Sequence, residues 1–249
     1  MHSIALLFVF LATLFISAPP VSAEEDCQQC HEELTKGTSV HAAVAMGCPT
    51  CHSAIDAREI PHKKKNRNAR GLSAAQPELC FGCHDQSKFK GKVVHAAIGK
   101  KCTGCHNPHS SKFAKLLNKE PPELCYTCHT NKASFTNNVV HAPVKKGQCT
   151  VCHAPHASDN AALLVKPMPR LCIDCHAGKA DVKHILAGFG NNDTHPTRGK
   201  PDPLRPGKEF SCASCHRPHS SPGKALLAVA STNARDMCLK CHTKVMVRP

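Results

Sequence analysis

The sequence predicts a chain with few secondary structures: short α-helices, little sheet and much coil, elongated and cored by bound groups. Three observations carry that expectation. All 18 cysteines fall in nine CxxCH strings. There is no Trp and a single Tyr, so aromatic core is scarce. Setting aside a 23-residue apolar leader leaves about 25 residues per string, too few to enclose a conventional hydrophobic core around each.

The strings are CQQCH (Cys27, Cys30, His31), CPTCH (Cys48, Cys51, His52) and CFGCH (Cys80, Cys83, His84). CTGCH (Cys102, Cys105, His106), CYTCH (Cys125, Cys128, His129) and CTVCH (Cys149, Cys152, His153) follow. CIDCH (Cys172, Cys175, His176), CASCH (Cys212, Cys215, His216) and CLKCH (Cys238, Cys241, His242) complete the set. CxxCH is the attachment string of c-type haem: two thiols add to the vinyl groups and the histidine takes the proximal iron position. Zinc ribbons use CxxC pairs without needing histidine directly after the second cysteine. Any one position is His roughly 8% of the time in this composition, so nine from nine is no coincidence. A disulfide framework would scatter its cysteines, and a redox dithiol uses CxxC once. The strings therefore predict nine covalently bound c-type haems, whose porphyrins supply most of the buried apolar surface. Without them the chain should be disordered.

Ten histidines lie outside the strings, and His2 belongs to the leader. The other nine are His41, His62, His95, His109, His141, His156, His184, His195 and His219. Nine spare imidazoles for nine irons predict bis-histidine ligation, which closes the iron to substrate and favours lower potentials than His/Met ligation. The Met residues are expected as packing, with Met46 or Met237 as substitutes should a histidine fail.

These histidines recur in a repeat. His109, His156 and His219 follow a string histidine by three residues, and a Leu pair stands seven and eight residues further on. His41, His95 and His141 follow valine, seven or eight residues before the next string. The unit is CxxCH, VH, CxxCH, PH, with a period of about 45 to 55 residues. Four units span 27–79, 80–124, 125–171 and 172–237, and a final single string spans 238–249. Two departures occur: in the first unit the PH histidine is His62, ten residues after His52, and in the fourth a Pro/Gly-rich stretch with His184 and His195 replaces VH. Three residues reach at most about 10 Å, so a PH histidine cannot round the haem edge of its own string. It must serve a neighbour.

Residues 1–23 are apolar and end in the small-residue site VSA, which predicts an export signal cleaved after Ala23, although no Lys or Arg precedes the apolar run. An uncleaved anchor is the alternative. The mature residues 24–249 would form one haem-bearing domain with no later membrane span. The formal charge is +14. Eighteen propionates would bring it to about −4 when reduced, and nine ferric centres to about +5 when oxidised, so much of the basic charge answers the haems. The run from His62 to Arg70, with Lys63, Lys64, Lys65 and Arg67, is dense enough to dock an acidic partner or to be a solvated loop. It carries no aromatics for stacking on nucleic acid.

The strings CTGCHNPHSS, CTVCHAPHAS and CASCHRPHSS alternate with ELCFGCH, ELCYTCH and RLCIDCH, and the linker KPDPLRPGKEFSCASCHRPH spans Lys200 to His219. Together they resemble the doubled-CxxCH multihaem cytochromes across residues 27–242. The resemblance implies proximal and distal axial roles for the string and spare histidines. His62, His184 and His195 depart from the pattern and carry over least directly. Relatives of this kind include periplasmic carriers and cytochromes threading outer-membrane porins of metal-respiring bacteria. The implied role is electron transfer across the periplasm or outer membrane, toward an extracellular or terminal acceptor. Its partners would be a periplasmic or inner-membrane donor, an outer-membrane porin and an extracellular cytochrome. The alternative is a reductase of nitrite, hydroxylamine or a similar small oxyanion, which needs one open iron. No CxxCK string marks one here.

Overall fold

The computed structural model describes residues 26–99, 101–130, 135–168, 170–179, 185, 195–230, 233 and 235–242. The leader, His184 and Met246 lie outside them. Each CxxCH string closes as one helical turn: in all nine, the histidine N–H donates to the carbonyl of the first cysteine at 2.9–3.1 Å. Residues three apart on a turn share a face, so both thiols of a string are presented together with the imidazole one residue on. Opening strings form or follow α-helical turns at Gln28–His31, Glu78–Phe81, Glu123–Tyr126, Arg170–Ile173 and Arg235–Cys238. Closing strings use 3-10 turns at Cys48–Thr50, Cys102–Gly104 and Cys149–Val151, and an α-turn at Cys212–Cys215. Helices of four residues have no stability alone, since isolated helices need about 12–15. Tertiary contacts hold them.

Those contacts come from two-residue strands. In chain order they are β1 (Ser39–Val40), β2 (Ile55–Asp56), β3 (Lys63–Lys64), β4 (Val93–Val94), β5 (Ser110–Ser111), β6 (Val139–Val140), β7 (Ala157–Ser158) and β8 (Ser220–Ser221). β2 and β3 make a local hairpin. The other pairs are antiparallel and long-range: β1 with β5, β4 with β7 and β6 with β8. Each joins the VH segment of one unit to the PH segment of the next. The N–H groups of His41, His95 and His141 extend the ladders, donating to the carbonyls of His109, His156 and His219 at 2.8, 2.8 and 3.0 Å. At the first crossing the backbones approach so closely that a Cβ on Gly37 would lie 2.5 Å from the Ser111 nitrogen. At the third crossing Asn137 donates its side-chain amide to Ser220 Oγ at 3.0 Å.

Among the described residues only Phe210, Val229 and Met237 are buried apolar side chains. The serines of the crossings are buried instead: Ser110, Ser220 and Ser221. Ser111 and Ser158 donate to the carbonyls of Leu117 and Leu164, each at 2.5 Å, and Ser221 donates to that of Leu227. Hydrogen bonds at the crossings, not a protein core, register the units.

Each closing string is followed by two successive left-handed residues. The pairs are Arg70 and Gly71 (φ 54° and 64°), Lys115 and Leu116 (56° and 57°), Ala162 and Leu163 (55° and 57°), and Ala225 and Leu226 (52° and 59°). A side chain in this region costs about 1–2 kcal/mol. Ala162→Gly should therefore raise stability by about 0.5–1 kcal/mol after the added unfolded-state entropy is subtracted. Gly71→Ala should lower it, because its Cβ would clash with Ile55 Cγ1. Denaturant midpoints of the two variants, moving in opposite directions, check both.

Candidate haem-binding centres

The histidines meet in facing pairs, each joining a string histidine to a spare one. His31 faces His62 with ring centres 6.1 Å apart, His52 faces His109 at 5.9 Å, and His84 faces His41 at 6.0 Å. His106 faces His156 at 6.1 Å, His129 faces His95 at 6.1 Å, and His153 faces His219 at 5.8 Å. His176 faces His141 at 6.1 Å and His242 faces His195 at 6.3 Å. Two in-line metal–nitrogen bonds of about 2.0 Å, with roughly 1.15 Å from each nitrogen to its ring centre, give about 6.3 Å. The eight separations fit an iron held between two imidazoles. Among the described residues, no three or more His, Cys, Asp or Glu converge to hold a bare metal ion.

The hydrogen bonds fix the tautomer. Nδ1 of His52, His106, His153 and His216 donates to the carbonyls of Arg70, Lys115, Ala162 and Ala225 at 2.8–3.0 Å. Those are the first residues of the left-handed pairs. Nδ1 of His41, His95 and His141 donates to Pro108, Pro155 and Pro218 at 2.8–3.0 Å, across 67, 60 and 77 residues. His62 uses Glu59 and His195 uses Pro196. A carbonyl only accepts, so Nδ1 carries the proton and Nε2 keeps the lone pair a metal needs. Burial pulls the pKa of His109, His156 and His219 down, reinforced by their facing histidines His52, His106 and His153, which favours the neutral ligand form. Phe89 and Phe135 pack at a tilt against His156 and His219, with ring centres 4.7 and 4.9 Å apart.

The pairing follows one rule. An opening string faces the VH histidine of the unit before it, and a closing string faces the PH histidine of the unit after it. His195 obeys this rule toward the final string despite its altered surroundings. His62 does not: it faces His31 of its own unit, carried round by the β2–β3 hairpin. His184 lies outside the described residues.

The cysteines order the strings along the chain. Within each unit the first cysteines of the two strings meet thiol to thiol: Cys27 with Cys48, Cys80 with Cys102, Cys125 with Cys149, and Cys172 with Cys212. Between units, Cys51 lies near Cys80, Cys105 near Cys125 and Cys128, Cys152 near Cys172 and Cys175, and Cys215 near Cys238 and Cys241. Burial, then Cys102, pushes the Cys80 thiol up to about 11, and burial, then Cys149, does the same to Cys125. Each string thus neighbours the next one in sequence.

Sequence reasoning missed the carbonyls of Arg70, Lys115, Ala162 and Ala225. The Leu pairs marked three of them, since each pair directly follows the residue whose carbonyl accepts from the histidine. In the run from His62 to Arg70, Lys63–Lys64 pairs with Ile55–Asp56 as a hairpin, and the residues after it are held by local hydrogen bonds. Asn66 and Asn68 donate to the Leu72 carbonyl at 2.7 and 2.9 Å, and Lys63 pairs with Glu59. Lys64, Lys65, Arg67 and Arg70 are exposed. Among the described residues, no helix is long and apolar enough to cross a membrane.

The model of the doubled CXXCH motif matches residues 41–89, 95–134, 141–181 and 203–247. Each match begins at or near the second half of a unit and holds two strings, so eight of the nine lie inside the matches, and Cys27–His31 precedes them. No curated protein is similar enough to this chain to serve as a relative. The matched segments cover more than half of the chain, which belongs to the doubled CXXCH motif family of multihaem c-type cytochromes: electron-transfer proteins with covalently bound haem.

Proposed function

We propose that this protein is a nine-haem electron conduit in which every iron is closed by two histidines. The facing of string and spare imidazoles at 5.8–6.3 Å carries this reading. Haems held in this way supply reversible one-electron steps without binding substrate. The nine strings would attach them, and His41, His62, His95, His109, His141, His156, His184, His195 and His219 would be the distal ligands. The thiol contacts between successive strings would set the haems side by side in chain order, the spacing that hopping needs. Few buried apolar side chains agree with porphyrins as the core.

Attachment of c-type haem and the apolar leader both point to export, into the periplasm or to the outer membrane, possession of a porin partner being one arrangement. The exposed Lys64, Lys65 and Arg67 lie on the hairpin that brings His62 to the first string. They would dock an acidic redox partner at that end. Haem content per chain and electron paramagnetic resonance of the oxidised protein test the reading together. Nine haems, all low-spin ferric, are expected. A high-spin signal equal to one haem would replace the conduit with a reductase and direct assays to nitrite and hydroxylamine.

A further inference from the structure

We propose that Asp202 is a fixed negative charge that lowers the reduction potential at the last two strings, Cys212–His216 and Cys238–His242. The inference rests on the reading that both strings carry haem. The Asp202 side chain is 1% exposed. Its Oδ2 accepts from Ser214 Oγ at 2.7 Å and from Arg205 Nε at 2.6 Å, and its Oδ1 accepts from the Leu204 N–H at 2.9 Å. Ser214 lies inside the CASCH string, so the carboxylate is fastened to the turn that presents Cys212 and Cys215. Ser214 Oγ also accepts from the Ser211 N–H at 2.9 Å and Arg205 Nη2 at 2.7 Å, which fixes its orientation.

The same loop reaches the last string. Asp202 N–H donates to the Lys208 carbonyl, and Phe210 N–H to that of Lys200, closing the loop. The buried Phe210 ring then lies 5.5 Å from His195, which faces His242. One buried carboxylate therefore sits in the loop that serves both strings.

The charge is present at neutral pH. The Ser214 hydroxyl, helped by Arg205 and the Leu204 N–H, holds the Asp202 carboxyl down at about 2 despite burial. The carboxylate meets both strings through packed neighbours: Ser214 fastens it to the turn between Cys212 and Cys215, and Phe210 of the same loop lies against His195, which faces His242. Arg205 is 37% exposed, so solvent screens its charge more than that of the carboxylate. A negative charge close to an iron favours the ferric state, which carries one more positive charge, and so lowers the potential.

The test compares wild type, Asp202→Asn and Arg205→Gln as full-length, haem-loaded proteins, by optical redox titration with haem content measured on each. In Asp202→Asn, two ninths of the absorbance change should move to higher potential while seven ninths stay on the wild-type curve. In Arg205→Gln, the same fraction should move lower. Coincidence of both variants with wild type at full haem content overturns the proposal. So does movement of both in one direction, the mark of a loosened loop. Should Asp202→Asn not accumulate as holoprotein, Arg205→Gln decides: a downward shift supports the charge and coincidence overturns it. Wild-type peptides containing Cys212 or Cys238 without haem mass would instead overturn the underlying haem reading, and the inference with it.

Discussion

His95→Ala should turn one ninth of the ferric iron from low-spin to high-spin without loss of haem. The imidazole of His95 faces His129 at 6.1 Å, while Cys125, Cys128 and His129 lie in the next unit and are untouched by the change. The crossing should survive as well. β4 pairs with β7 through backbone groups, and the residue 95 N–H still donates to the His156 carbonyl. Only the Nδ1 bond to Pro155 and the ligand itself are lost. Added imidazole should restore the low-spin spectrum by occupying the opened position. Electron paramagnetic resonance with haem quantification reads both effects. A fully low-spin variant without added ligand would show that His95 is not the distal ligand of the Cys125–His129 string. The matching change at His109 should open the Cys48–His52 site, one unit earlier rather than its own.

Deleting residues 80–124 should leave a folded protein with seven haems, because the deletion removes one full period and two of the nine strings. The new junction reads ELCYTCH, as in the native chain. His41 would then face His129, and His52 would face His156. β1 would cross to β7, and Gly37 would take the close approach to Ser158 that Gly91 makes natively. Repeat arrays tolerate whole-unit deletion because each unit contacts only its neighbours. Deleting 80–101 removes one string and one VH segment and leaves two closing strings in succession. His41 and His129 would then have to meet with no opening string beside Cys51. That variant should accumulate poorly or carry fewer low-spin irons than haems. Haem mass per chain of the two deletions checks the prediction, and equal recovery of both would refute the pairing rule.

The chemistry of attachment was legible in the sequence because it is local. Two cysteines three residues apart and the histidine after them complete their turn with one hydrogen bond, from the histidine to the first cysteine, and no distant residue enters. The scarcity of core was legible too, from the missing aromatics and the few residues per string. The spare histidines could be counted and their repeat seen. Reach alone also excluded His109 from the face opposite His106.

Which histidine meets which string was decided only in three dimensions. His41 and the Pro108 carbonyl that orients it are 67 residues apart, joined through strands of two residues. Strands so short leave no alternation for a sequence pattern to reveal. His62 looked irregular in sequence because it lies ten residues after a string histidine rather than three. The hairpin makes that separation fit, returning the chain to His31. The left-handed turns were equally hidden, since Lys115 and Ala162 have no intrinsic preference for positive φ. They adopt it because their carbonyls must face His106 and His153. Local geometry thus fixed the strings, and hydrogen bonds between distant backbones fixed how the strings are joined.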